Sequence, residues 1–480
     1  MASTASQTQR SVLAPADRRR LERHLAGALR RARARRGEAL AAVTIALGPD
    51  VDPTAAVLAS RRAGEDWWVL ERPDAGGQVL AALGCVRRIE AQGVARFATV
   101  AAAWRTLADT ADADRPTQPR GAGPVAVGGF AFAPDGGTDP GWAGYPAASL
   151  QVPELSLARQ DGNTALTLTA VVSADDTVEH LGDRLQRRLA ELRLDRPLPL
   201  LDPHPTGRHH VVSPLSPEHY ESAVGRAIER IAAGELEKVV LAREVAVHAP
   251  AEPDPGALLG VLREGFAACF VFAVGRGDAT FLAASPELLV RREGHRASTV
   301  ALAGSARRSA DPAVDDHLGE ELLRSAKDRH EHAIVARRIA ASLRPHALWV
   351  TAAPEPQIVR VANIQHLATA IRAQLDTPLG AVDLAGLLHP TPAVGGEPHD
   401  RAERLIRSLE GMDRGWYAGA VGWTDMAEDG DFCVALRCAL LRGQVARCYA
   451  GVGVVRDSDP AAELAETEVK LSALLPLLAG

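Results

Sequence analysis

The sequence predicts an α+β chain built on antiparallel sheet. Short apolar runs with strand-like spacing outnumber helical patterns, no segment repeats, and strands and helices do not alternate regularly. A doubly wound parallel sheet would show that alternation.

Taken in order, residues 10 to 36 come first, with ten arginines and few acids. Organelle transit peptides have that bias, but Leu21, Leu25 and Leu29 fall at helical spacing, which favours an amphipathic helix with a solvated basic face. Strand-like runs follow (AAVTIAL, WWVLER, VAVGGFAFA, TALTLTAVV), with helical patterns near 96 to 111 and 176 to 194. Gly and Pro clusters such as PTQPRGAGP and APDGGTDPG punctuate them. The Pro-rich segment LDRPLPLLDPHPTGRHH reads as a linker and sets a boundary near 205, dividing the chain into an N-terminal region, 1–205, and a catalytic region, 206–480.

Past the boundary, SPEHYESAVGRAIERIAAGE predicts a helix with Ser216 as N-cap, Pro217 in the first turn and a stop at Gly234. Strands are expected in EKVVLAREVAVHA, CFVFAVG, ATFLAAS, ELLVRREG and HRASTVALAG, with one helix near 255 to 265. Two longer helices, about 312 to 343 and about 460 to 478, frame the strand VANIQHLATAIRAQL, the loop HPTPAVGG and a meander of GAVGWTD, DFCVALRCALL and QVARCYAGVGV.

Composition excludes several functions. The 480 residues are 46% hydrophobic and carry a net charge of −6, so nucleic acid is not expected as a partner. No apolar stretch reaches the roughly 18 residues that a membrane span needs, and MASTASQTQR lacks an apolar leader core, so a cytoplasmic protein is expected. Cys85, Cys269, Cys433, Cys438 and Cys448 are odd in number and show no CxxC spacing, as expected for reduced core thiols.

Only three of the 54 basic residues are lysines: Lys238, Lys327 and Lys470. Arginine serves most surface roles, so a retained lysine hints at an amine whose proton must come and go. Asp328 and Glu331 stand three apart in KDRHEHAIVARRI, on one stripe of a helix, and Glu463 and Glu466 repeat the spacing, with Lys470 one turn on. Two such pairs could hold a hard cation such as Mg²⁺, although two solvated helix faces would read the same. His330 and His332 are two apart and cannot share a helix face, which argues against zinc. AGVGV lacks dinucleotide-motif spacing, and its glycines would let backbone amides approach a ligand. Arg437, inside FCVALRCALL, needs an anionic partner, either a substrate carboxylate or a structural acid.

In combination, KVVLAREV, FLAASPELLVRR, ALAGSARR, LLRSAKDRHEHAIV, IQHLATAI, LLHPTPAVGG, WYAGAVGW, VALRCA, YAGVGVV and ELAETEVKLS resemble the chorismate-binding enzymes, and among them the isochorismate synthases. The likeness covers roughly 210 to 480. It implies a chorismate-utilising fold, with residues 1–205 completing it, and an Mg²⁺-dependent reaction. Water adds at C2 of chorismate while the C4 hydroxyl leaves, for menaquinone or siderophore biosynthesis.

By resemblance, Lys238 is the base that activates water and Glu287 the acid that protonates the departing hydroxyl. Such roles need a neutral amine and a carboxyl that holds its proton. Glu331 and Glu463 match direct metal ligands, with Asp328 and Glu466 around metal-bound waters; relatives usually carry a longer acid at 328. Arg437 and Tyr417 match the grip on the enolpyruvyl carboxylate. Gly304, Ser305, His366, Ala393, Gly453 and Lys470 match further substrate-pocket positions. Relatives that deliver ammonia either lack the lysine at position 238 or carry one at the Ala303 position. Salicylate synthases, the closer alternative, place threonines where this chain has Ser305 and Ala393. Relatives are often monomers.

Overall fold

The computed structural model describes residues 13–202 and 206–479. The first twelve residues, which include the start MASTASQTQR, and the expected boundary at 205 lie outside them. Two large sheets dominate, one of 13 strands and one of 10, and every pairing is antiparallel except the parallel contact between Ala39–Leu47 and Asp112–Ala113. This agrees with the predicted α+β class.

The two sides of the Pro-rich segment share both sheets. Strand Trp67–Arg72 pairs with Phe270–Arg276 in the larger sheet, and Val125–Phe130 pairs with Ala420–Asp425 in the smaller one. The N-terminal residues therefore continue the same two sheets as the residues past 206. The arginine-rich run forms helix Pro15–Arg35, whose Leu21, Leu25 and Leu29 are buried. Those leucines join a core with the strand Ala39–Leu47 and the helix Val178–Ala190, while the arginines stay largely at the surface.

Helix Pro217–Ala232 begins as expected, with the Ser216 side chain accepting from the His219 N–H. The long helices differ from expectation. The segment 312–343 is two helices, Pro312–Arg324 and Ala326–Leu343, broken at Ser325. Ser325 leaves the helical region and its hydroxyl caps the Asp328 N–H, a local bond that competes with helix continuation. The C-terminal helix runs Pro460–Leu471, and a separate turn follows at Leu475–Ala479. FCVALRCALL also divides, because Gly430–Val434 lies in the smaller sheet and Cys438–Arg442 in the larger.

All five cysteines are free, and four are buried. No helix among the described residues is long and apolar enough to cross a membrane.

Candidate active site

The chain passes between the sheets twice at one place, and each passage presents a charged residue. Ala279–Ser285 ends in the larger sheet and Leu288–Glu293 begins in the smaller, leaving Glu287 between them. The return passage between Gly430–Val434 and Cys438–Arg442 carries Arg437 in a left-handed conformation, φ 48°. The Val434 N–H donates to the Glu287 carbonyl, tying the two crossings together.

A cavity opens at this seam. Its wall includes Glu287, Gly304, Ser305, Glu331, His366, Ala393, Tyr417, Arg437, Gly453, Glu466 and Lys470, all expected from the sequence. Lys238, Asp328 and Glu463, also expected, do not line it: Lys238 lies against Glu331, Glu463 against Lys327, and Asp328 beside Gly304. Ser305 and His366 face each other across antiparallel strands Arg296–Arg307 and Ile364–Leu375, at a bulge that Gly304 permits with φ 74°. Lys238 and Gly453 come from neighbouring strands, Lys238–His248 and Val445–Val454. Helices Ala326–Leu343 and Pro460–Leu471 bring the four acids.

Lys238 is fully buried, and its amine lies 2.8 Å from Glu331 Oε1, although not in hydrogen-bond alignment. Lys327 Nζ is 2.5 Å from Glu463 Oε1, and Lys470 Nζ is 2.8 Å from Glu466 Oε1. All three lysines of the chain thus sit on three of the four acids. Burial raises the Asp328 carboxyl; it also raises Glu463, which Lys327 partly offsets. Burial works against charge on Glu466 as well, but Lys470 outweighs it and holds that carboxyl below the usual range.

Glu287 is buried, which pushes its carboxyl up to about 7 despite the opposing charges of Arg437, Lys238 and Lys470 and a bond to Thr391. His366 is held neutral, well below the usual range, by burial and then by the charge of Arg437. Its Nε2 therefore accepts from Arg437 Nη2 at 2.7 Å, and its Nδ1 lies 3.0 Å from Ser305 Oγ and 3.2 Å from the Gly304 carbonyl. Among the described residues no carboxylate pairs with Arg437, whose Nη2 bonds His366 and whose Nε is buried without a partner. The sequence left its anion open between a structural acid and a substrate carboxylate, and no structural acid fills that place.

The glycines of AGVGV make room for the protein's own side chains. A Cβ on Gly451 would lie 2.7 Å from the Tyr417 hydroxyl, and one on Gly453 would lie 2.1 Å from Glu331 Oε1. His332 turns away onto Thr369 and His330 is exposed, so they share no metal. Sequence reasoning missed the support of Tyr417. Glu410 and Arg414 form a buried pair, Arg414 bonds the Val240 and Val394 carbonyls, and its guanidinium lies 5.7 Å from the Tyr417 ring. An acid and an arginine four apart were the only signal. Tyr417 also stacks on Tyr449, with ring centroids 5.3 Å apart.

A family model described as chorismate binding enzyme matches residues 27–479. The chain belongs to the chorismate-binding enzymes. Within that family it is 38% identical over 400 residues to the salicylate biosynthesis isochorismate synthase of Pseudomonas aeruginosa, covering 83% of this chain and 82% of that one. It is 34% identical over 360 residues to the isochorismate synthase MenF of Bacillus subtilis, covering 75% of each. The menaquinone-specific isochorismate synthase of Escherichia coli superposes with a TM-score of 0.76 at 28% identity, over 92% of this chain and 95% of that one. Such likeness along nearly the whole chain includes the N-terminal residues, where no sharp motif was found.

As a chorismate-binding enzyme the chain has all-oxygen donors suited to a hard cation: Glu331, Glu463, Glu466 and Asp328. Among the described residues no three acidic, histidine or cysteine side chains are gathered closely enough to hold a metal as they stand. Three of the acids each face a lysine side chain instead: Glu331 faces Lys238, Glu463 faces Lys327 and Glu466 faces Lys470.

Proposed function

We propose that this chain is an isochorismate synthase that converts chorismate to isochorismate with Mg²⁺. The observation that carries the reading is Glu287, whose carboxyl burial pushes up to about 7, at a cavity whose Arg437 pairs with no carboxylate among the described residues, with buried Lys238 against Glu331 of the cavity wall.

Lys238 takes a proton from water as the water oxygen bonds to C2. Glu287 gives its proton to the C4 hydroxyl, which leaves as water, so the C2–O bond forms, the C4–O bond breaks and the ring double bonds shift. Burial suits Glu287 to this task by raising its carboxyl to about 7, so that it can still carry a proton near neutrality. Arg437, aimed by neutral His366, binds the enolpyruvyl carboxylate beside Tyr417. Glu331 and Glu463 would hold Mg²⁺, with Asp328 and Glu466 facing its waters. When bound, the ion would neutralise the ring carboxylate of the substrate.

Ser305 and Ala393 decide between stopping at isochorismate and continuing to salicylate. Both line the cavity. Against the threonine of a salicylate synthase, Ala393 lacks one hydrogen-bonding hydroxyl, worth roughly 1 kcal/mol of hold on the ring. Chromatography of a chorismate reaction with Mg²⁺ should show chorismate and isochorismate approaching a mixture, with salicylate at most a trace. Glu331→Gln should raise the Mg²⁺ requirement steeply. Salicylate and pyruvate accumulating in equal amounts would make the chain a salicylate synthase, and activity indifferent to Mg²⁺ would overturn the metal assignment.

A further inference from the structure

The three lysine–acid pairs are not equivalent. Lys238 is 1% exposed at its side chain and Lys470 13%, whereas Lys327 is 31% exposed over a Glu463 that is only 1% exposed. Lys470 has a second anchor, donating to the Gly451 carbonyl at 2.9 Å, and Lys238 is walled in by Gly453 and Glu331. No second bond of the Lys327 amine is found among the described residues. It stands in the first turn of helix Ala326–Leu343, at the break made by Ser325, and reaches across 136 positions of chain to Glu463.

A carboxylate as buried as Glu463 is costly without a counter-charge. A divalent cation on the Glu463 carboxylate would stand close to an ammonium that lies 2.5 Å from Oε1, and two like charges at that range repel. The repulsion favours departure of one of them. Of the three amines, Lys327 has the solvent access and the lone contact that make leaving easy.

We propose that Lys327 is a built-in placeholder cation. It neutralises Glu463 while the divalent-ion site is empty and swings to solvent when Mg²⁺ enters, so that it competes with the ion for Glu463. This rests on the reading of Glu463 as a metal ligand. The consequence runs against the usual effect of altering a site residue, since removing Lys327 should strengthen ion binding. The same removal leaves Glu463 uncompensated in the ion-free protein.

Binding of Mg²⁺ alone is measured by calorimetry, without substrate, on wild type, Lys327→Gln, Lys327→Arg and Glu463→Gln, each first checked for native circular dichroism. Lys327→Gln should bind Mg²⁺ at least several-fold more tightly than wild type. Its Tm without ion should be lower, and added Mg²⁺ should raise that Tm by more than in wild type. Lys327→Arg keeps the charge and should not tighten binding. Unchanged or weaker binding in Lys327→Gln, with Glu463→Gln strongly impaired, overturns the placeholder role and leaves the metal site standing. Full Mg²⁺ affinity in Glu463→Gln overturns the metal assignment itself. If Lys327→Gln does not fold, tighter binding in Lys327→Arg would overturn the proposal, and binding no tighter than wild type there supports it.

Discussion

Gly453 and Glu331 are in such close register that a methyl group on the glycine would lie 2.1 Å from the Glu331 carboxylate oxygen and 2.8 Å from Lys238 Cε. The glycine is therefore what allows the acid and the buried lysine to meet.

Gly453→Ala should disturb the site without unfolding the sheet, because the clash falls on two side-chain ends. Displacing a reacting group by about 1 Å can cost on the order of 10²-fold in rate. We expect kcat/KM for chorismate to fall by about that factor with an unchanged circular dichroism spectrum. Activity near wild type would show that Glu331 and Lys238 have room to spare.

Lys238→Ala tests the base. Loss of general base catalysis should lower kcat by on the order of 10²-fold or more. Steady-state kinetics on the folded variant decides it, and near-normal turnover would remove Lys238 from the mechanism.

Glu287 should give the reaction a falling limb near neutral pH. Its folded value of about 7 lies above the ordinary 4.5, so the protonated form that the reaction needs is lost as pH rises through 7. The kcat/KM profile of wild type should decline there, and Glu287→Gln should be nearly inactive throughout. Stability follows the same sign. Because the folded value is raised, the stabilising contribution is complete below the unfolded value near 4.5 and disappears as pH passes 7, a difference of roughly 3 kcal/mol. Glu287→Gln, which cannot ionise, should therefore gain Tm relative to wild type at pH 8 compared with pH 5. A relative Tm independent of pH would mean that Glu287 titrates normally.

The sequence by itself determined the inventory of the site. Strand-like runs matched some strands within a residue or two, such as Trp67–Arg72 and Ala279–Ser285, but not others, such as Gln78–Leu83, Ala148–Val152 and Leu155–Gln160. Three-residue spacing placed Asp328 with Glu331 and Glu463 with Glu466, because that pattern follows from backbone geometry within one element. Scarcity of lysine pointed to Lys238, Lys327 and Lys470 before any contact was known. Tertiary structure decided which lysine meets which acid, since Lys327 and Glu463 are 136 positions apart and touch only because the strands between them carry the chain back to the seam. The break at Ser325 is local, one hydroxyl bond to the Asp328 N–H three residues on, and helix periodicity concealed it. The raised carboxyl of Glu287 and the want of a carboxylate partner for Arg437 among the described residues belong to the tertiary structure as well, because desolvation and the placing of charges depend on every neighbouring element at once, and no local pattern of residues encodes them.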